Sequence, residues 1–230
     1  MQGFFSGFSI TIGNMSKMKP IIVIVIAIAL AASAAAYLSR GSSDTAKTPQ
    51  TGALPPGGGR VQGPENAPVT LVEFADYQCP MCAHWSPMIA ELLRKYPDKV
   101  RFEFHYYPLI QIHRYAMAAA LAAEAAGEQG RYWEMHDLLF ENQDRWAASN
   151  NAETEFLTYA VRLGMNTNQF MQAMRSPDVQ ARILQDVTRA VNAKLPGTPT
   201  IFMNGQLIDP LPKNLEELVR IVDDRLRAAK

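Results

Sequence analysis

Hydrophobic and polar positions along this chain follow two different periods, and each change of period marks the edge of an element. Pro68-Val69-Thr70-Leu71-Val72-Glu73-Phe74-Ala75 is a short apolar, β-branched run, the pattern of a buried strand. From about position 79 to Tyr96 the pattern becomes helical, and Pro87 inside it is expected to bend that helix. Val100-Arg101-Phe102-Glu103-Phe104-His105-Tyr106 then alternates strictly, which predicts a second strand with one apolar face. Strand, helix and strand in such close succession form a βαβ unit, so the two strands are expected to run parallel with a right-handed crossover.

From about 111 to 175 every signal is helical, with stretches near Tyr115–Ala126, Arg131–Asn142, Glu153–Leu163 and Asn168–Met174. Ser176-Pro177-Asp178 has the form of a helix start, with Ser176 as N-cap and Pro177 in the first helical position, opening a helix to about Lys194. Further on, Asn204-Gly205 separates two apolar runs and predicts a hairpin, because both turn positions favour positive φ. Leu215, Leu218, Val219, Val222 and Leu226 recur at three- and four-residue steps and predict a last amphipathic helix.

The N-terminal part has neither period. Ile21 to Leu38 is an apolar run interrupted only by Ser33, with Lys17 and Lys19 before it and Arg40 after it. A helix of about 18 residues rises about 27 Å, close to the ~30 Å hydrocarbon core of a bilayer. The basic flank predicts a cytoplasmic tail over residues 1–20, a membrane anchor over 21–39 and everything later on the outer side. A cleaved signal peptide is the competing expectation, with Ala32-Ser33-Ala34 or Ala34-Ala35-Ala36 as its cleavage site. Both readings export the rest of the chain. Residues 40–65 are rich in Gly, Pro, Ser and Thr and read as a flexible linker, leaving 66–230 as the domain.

Charge changes this picture little. The 230 residues carry 22 basic and 22 acidic side chains, so no electrostatic footprint for nucleic acid is present. Cysteine usage changes it more. Only two cysteines occur, in the run Cys79-Pro80-Met81-Cys82, which excludes a framework of structural disulfides. They make a poor zinc site with the scattered His84, His105, His113 and His136. Haem attachment needs a histidine directly after the second cysteine, where Ala83 stands. No cofactor or metal is therefore expected.

Two thiols three positions apart at the start of a helix can meet with little backbone movement. The first, Cys79, faces the unpaired N–H groups and the positive end of the helix dipole, which favour its thiolate. Pro80 suits the first turn because its missing N–H costs nothing there. This is the arrangement of a redox pair that exchanges disulfides through a mixed-disulfide intermediate, with Cys79 as the exposed attacking sulfur and Cys82 as the resolving one.

Leu71–Asp76 running into Tyr77-Gln78-Cys79-Pro80-Met81-Cys82 resembles the thioredoxin fold, and more narrowly its DsbA-like branch with an inserted α-helical subdomain. The same resemblance extends to Phe104–Leu109, to Ala125-Ala126-Gly127-Glu128-Gln129-Gly130 leading into Trp133–Leu139, and to Gly197-Thr198-Pro199-Thr200. It spans about residues 62–228 in the expected order. It implies an α/β thioredoxin-like fold whose helical insertion occupies about 111–175. It also implies that Pro199 is a cis-proline opposite the cysteines and that the Thr198 backbone pairs with an extended substrate segment. Glu73 would be a buried acid beneath the second cysteine, relaying a proton to or from Cys82.

The implied activity is that of an exported thiol:disulfide oxidoreductase in the cell envelope, forming disulfides in exported protein substrates. A quinone-linked membrane protein would be its redox partner. One departure bears on direction: the strongest oxidases of the family carry a histidine between the cysteines, whereas this chain has Pro80-Met81, which predicts a less oxidising pair. A disulfide reductase or isomerase, a metal-delivery or assembly module using Met81 and His84, and a glutathione-dependent enzyme are the alternatives. The last generally uses a single nucleophile, which the second cysteine argues against.

Overall fold

The computed structural model describes residues 58–228. The tail over 1–20, the apolar run over 21–39 and most of the linker lie outside the described residues, among which no helix is long and apolar enough to cross a membrane.

Five strands form one sheet in the order β1-β3-β2-β4-β5. The strands are β1 (Arg60–Gln62), β2 (Val69–Ala75), β3 (Val100–Tyr106), β4 (Thr200–Met203) and β5 (Gln206–Leu207). The predicted βαβ unit is present: β2 and β3 are parallel, in register Leu71↔Phe102 and Glu73↔Phe104, and are joined by α1 (Pro80–Lys95). This helix is continuous through Pro87, and its buried side chains Cys82, Trp85, Met88, Ile89 and Leu92 form the apolar face that the spacing predicted. β4 joins the other side of β2 antiparallel, so β2 is the central strand and Glu73 lies between Phe104 and Ile201.

Between β3 and α7 (Pro177–Asn192) lies the helical insertion, made of α2 (Ala116–Gly127), α3 (Tyr132–Glu141), α4 (Gln143–Ala147), α5 (Ala152–Arg162) and α6 (Thr167–Ala173). Nearly every alanine of α2 is buried, as expected for a helix that serves as packing surface. Leu71, Ala75, Cys82 and Trp85 share a core with the insertion and with Leu218 and Val222 of α8 (Leu215–Ala228). A smaller cluster of Phe74, Phe202, Ala190 and Leu195 packs α7 on the opposite face of β2. Ser176 is the N-cap of α7 with Pro177 next to it, although the Ser176 hydroxyl makes no capping bond. In the hairpin turn Asn204 and Gly205 have φ of 49° and 77°, and the Asn204 side chain bonds Thr70 N–H at 2.7 Å, so the turn is stitched to the central strand.

The linker boundary needs correction. Residues 60–62, assigned to the flexible segment, form β1 on the open edge of β3, with Arg60 opposite Phe104. A three-residue strand beside glycines is too short to show alternation, and what holds it is its neighbour. The Arg60 guanidinium bonds the buried Glu124 carboxylate at 2.8 and 2.5 Å, and Glu124 also accepts from Tyr106 and Arg182. A paired carboxylate is the form in which a charge is tolerated inside an otherwise all-alanine face.

Candidate active site

The loop from Asp76 to Cys79 leaves the central strand and opens α1. Cys79 is the N-cap of that helix, with φ −76° and ψ 121°, and Pro80 occupies the first turn. Asp76 shapes the loop, because its buried carboxylate accepts the N–H groups of Gln78 at 2.7 Å and Leu109 at 2.9 Å, and its carbonyl accepts Cys79 N–H at 3.0 Å. His113 Nδ1 lies 2.7 Å from the same carboxylate, and Gln78 Oε1 accepts Tyr115 N–H at 2.7 Å. The segment after β3 is thereby tied to the cysteine loop. From the insertion, Gln143 Nε2 donates to the carbonyls of Tyr77 at 2.7 Å and Cys79 at 2.9 Å.

The two sulfurs differ sharply. Cys82 is fully buried, while Cys79 retains 8% exposure, less than an exposed nucleophile was expected to show. The intervening Met81 is half exposed, as are Ile110 and, further still, Ile112 in the segment bonded to Asp76. Cys79 is pulled down from an ordinary 9.0 to about 5. The largest cause is the Cys82 thiol donating to it; burial opposes, and the Thr198 side chain with the N–H groups of Cys82 and Met81 adds to the lowering. Burial pushes Cys82 well above the ordinary thiol range, helped by its hydrogen bond to Cys79 and by the charge of Glu73. A thiolate held below its ordinary value stabilises the folded reduced state. That contribution is complete above about pH 9 and is lost as pH falls through about 5. The disulfide form has no such group, so it gains nothing comparable.

Across from Cys79, the Thr198–Pro199 peptide is cis, and the Cys79 thiol donates to the Thr198 carbonyl at 3.3 Å. The Thr198 hydroxyl is buried and, although it favours the Cys79 thiolate, makes no hydrogen bond of ordinary geometry among the described residues. Glu73 is buried in β2, with Oε1 unpaired among the described residues. Burial, then the charge of Cys79, raises its carboxyl from 4.5 to about 8, so it is protonated at neutral pH.

Cys79, Cys82, Thr198, Pro199 and Glu73 therefore meet at one place, although they come from three separate stretches of chain. His84 does not join them; it sits exposed on α1. His136 is packed among aromatic rings, where burial lowers it to about 3 and its Nδ1 lies 2.9 Å from the Tyr77 hydroxyl. Asp76, His113 and Gln143 were not singled out from the sequence. Asp76 carried a faint signal as an acid ending an apolar strand directly before the motif, and Gln143 carried none.

A thiolate at a helix N-terminus, a buried partner thiol one turn inward and a neutral carboxyl nearby can form, pass on and resolve a mixed disulfide. The comparisons agree with that chemistry. The sequence pattern of the family described as thioredoxin matches residues 56–224. A thioredoxin-like oxidoreductase from Silicibacter pomeroyi DSS-3 is 29% identical, covering 77% of this chain and 97% of that one with a TM-score of 0.63. The fold is shared with BdbD from Bacillus subtilis (24% identical, 74% and 94% covered, TM-score 0.63). It is shared also with alpha-DsbA1 from Wolbachia pipientis (21% identical, 76% and 94% covered, TM-score 0.65). Among curated relatives, Na(+)/H(+) antiporter NhaA 3 of Salinispora tropica is 41% identical over 170 residues, 74% of this chain. The chain spans only a quarter of that relative's length, and the relative's name describes the whole protein. With its family pattern and its fold both in place, the chain belongs to the thioredoxin family and shares its fold with DsbA-type proteins.

Proposed function

We propose that this chain is a DsbA-like thiol:disulfide oxidoreductase that donates a Cys79–Cys82 disulfide to the thiols of exported proteins on the outer side of the cytoplasmic membrane. The apolar run 21–39 would anchor it there or direct it across. In each cycle a substrate thiolate attacks Cys79 Sγ, the Cys79–Cys82 bond breaks, and Cys82 leaves with the electron pair. A second substrate thiolate then displaces Cys79, so the substrate gains a disulfide and the enzyme two electrons and two protons. Reoxidation needs an electron acceptor, and a quinone-linked membrane protein fits that need.

The observation that carries the direction is the depressed Cys79 thiolate, because whatever stabilises the reduced form makes the disulfide a stronger oxidant. It offsets the absence of a histidine between the cysteines. The setting also suits a polypeptide substrate. Neither the disulfide nor the Cys79 thiolate has an S–H to donate, so at neutral pH the Thr198 carbonyl is free to accept a substrate N–H, in the manner of strand addition. Met81, Ile110 and Ile112 present apolar side chains suited to an unfolded segment. Equilibration of the full chain with glutathione buffers tests the direction. We expect a potential on the oxidising side of roughly −200 mV. A value near thioredoxin's, about −270 mV, would turn the assignment to a reductase.

Glu73 is proposed as the proton relay of Cys82. Protonated, it supplies a proton to the leaving Cys82 sulfur; ionised, it takes one when the Cys82 thiol must attack. Resolution of a mixed disulfide by Cys82 should therefore quicken as pH rises through about 8. In Glu73→Gln that inflection should vanish and resolution should slow by about 10²-fold, within the range for general acid–base groups. Stopped-flow kinetics between pH 6 and 9 would show it, and an unchanged profile would remove Glu73 from the mechanism.

A further inference from the structure

We infer that Gln143 is a positioning residue for the redox pair, and that through it the helical insertion holds Cys79 in its reactive orientation. The inference rests on the proposed function, in which Cys79 carries the mixed disulfide and leaves as a thiolate. Gln143 opens α4, is buried, and sends one amide nitrogen to two carbonyls, those of Tyr77 and Cys79, on either side of Gln78. The two bonds do different things. The Cys79 carbonyl already accepts Ala83 N–H at 3.1 Å as the first bond of α1, so it has no unmet need that Gln143 must fill. What the second bond adds is a fixed relation between the helix N-cap and the residue two places before it.

The opposite flank of the same turn is held as well, since Gln78 Oε1 accepts Tyr115 N–H and Asp76 accepts from Gln78 and Leu109. The turn is thus clamped between the insertion and the segment after β3. The clamp matters to chemistry because the Cys79 thiolate is held by the N–H groups of Met81 and Cys82, and hydrogen bonds of this kind weaken steeply with angle. A small rotation at Cys79 moves the sulfur off those donors without unfolding the helix.

The test uses the full chain with Gln143→Met, which keeps the side chain's length but removes the donors. Gln143→Asn is the second variant, with the same neutral amide on an arm one methylene shorter. The readout is thiolate absorbance at 240 nm against pH, alongside the equilibrium with glutathione. In the wild type the thiolate should appear near pH 5. In Gln143→Met the midpoint should rise by about one unit, and the equilibrium should move about tenfold toward the oxidised enzyme, a potential about 30 mV more negative. The Asn variant should shift in the same direction and decides the matter if the Met variant does not fold. Variants that melt earlier yet titrate and equilibrate like the wild type would overturn the inference, leaving Gln143 as structural support alone. A wild type that forms no reversible Cys79–Cys82 disulfide would instead defeat the proposed function, which keeps the two failures separate.

Discussion

Replacing Cys79 by serine is expected to abolish disulfide exchange, lowering the rate on the order of 10³-fold or more, to the uncatalysed background. A hydroxyl stays protonated at neutral pH and forms no bond that substrate sulfur can later displace. The wild-type oxidation rate should climb with pH toward the ordinary thiol range, because the substrate thiolate is the attacker, while the low Cys79 value, about 5, makes Cys79 a good leaving sulfur across the whole range. The fold should survive the substitution, since the loop is held by Asp76 and Gln143 through backbone groups, and should lose only the stability that the reduced form draws from the Cys79 thiolate at neutral pH. Oxidation of a reduced model protein, followed from pH 4 to 8 with thermal melting in parallel, checks both halves. Activity retained by the serine variant would mean that the chemistry runs elsewhere in the chain.

Cys82→Ser should produce a different defect. Cys79 can still attack a substrate disulfide, breaking it and expelling one substrate thiolate, but the mixed disulfide then lacks its internal resolving thiol, so such adducts should accumulate and multiple turnover should fall on the order of 10²- to 10³-fold. Burial explains why no other group substitutes. Of the two cysteines only Cys79 has any exposure, so in this variant an external thiol must break the mixed disulfide at Cys79 or at the substrate sulfur. The lost Cys82 thiol is also the largest cause of the low Cys79 value, so the attacking thiolate should become less acidic in this variant. Non-reducing gels of cells expressing the variant would display the trapped species, and mass spectrometry would identify the substrates. An absence of trapped protein would count against the enzyme acting on protein thiols at all.

The structure also shows where sequence patterns reach their limit. Strand β2, helix α1 and strand β3 were legible because each carries its own period, and the cysteines could be placed at the start of α1 because the period changes there. The Asn204-Gly205 hairpin was legible because positive φ restricts which residues can occupy it. The alanine-rich stretch near Tyr115–Ala126 was legible as a helix. Strand β1 did not, since its three residues acquire strand geometry only from the open edge of β3. Neither did the cis Asp209–Pro210 peptide, which no local pattern announces.

The candidate site divides in the same way. Cys79 and Cys82 were evident from spacing, and Pro199, Thr198 and Glu73 entered through the family resemblance. The carboxyl at Glu73 is shifted because it is buried in a strand that β3 and β4 flank and because the charge of Cys79 acts on it, which is a property of the assembled sheet. Asp76 with His113, and Gln143 with the Cys79 carbonyl, bring together residues 37 and 64 positions apart. The sequence by itself determined the elements and the identity of the reacting sulfurs, because helical and strand periods and the reach of neighbouring thiols are local properties of the chain. Only the tertiary structure decided how acidic those sulfurs are, how little of Cys79 meets solvent and what holds the loop still. Burial and hydrogen-bond geometry arise only when distant segments pack together.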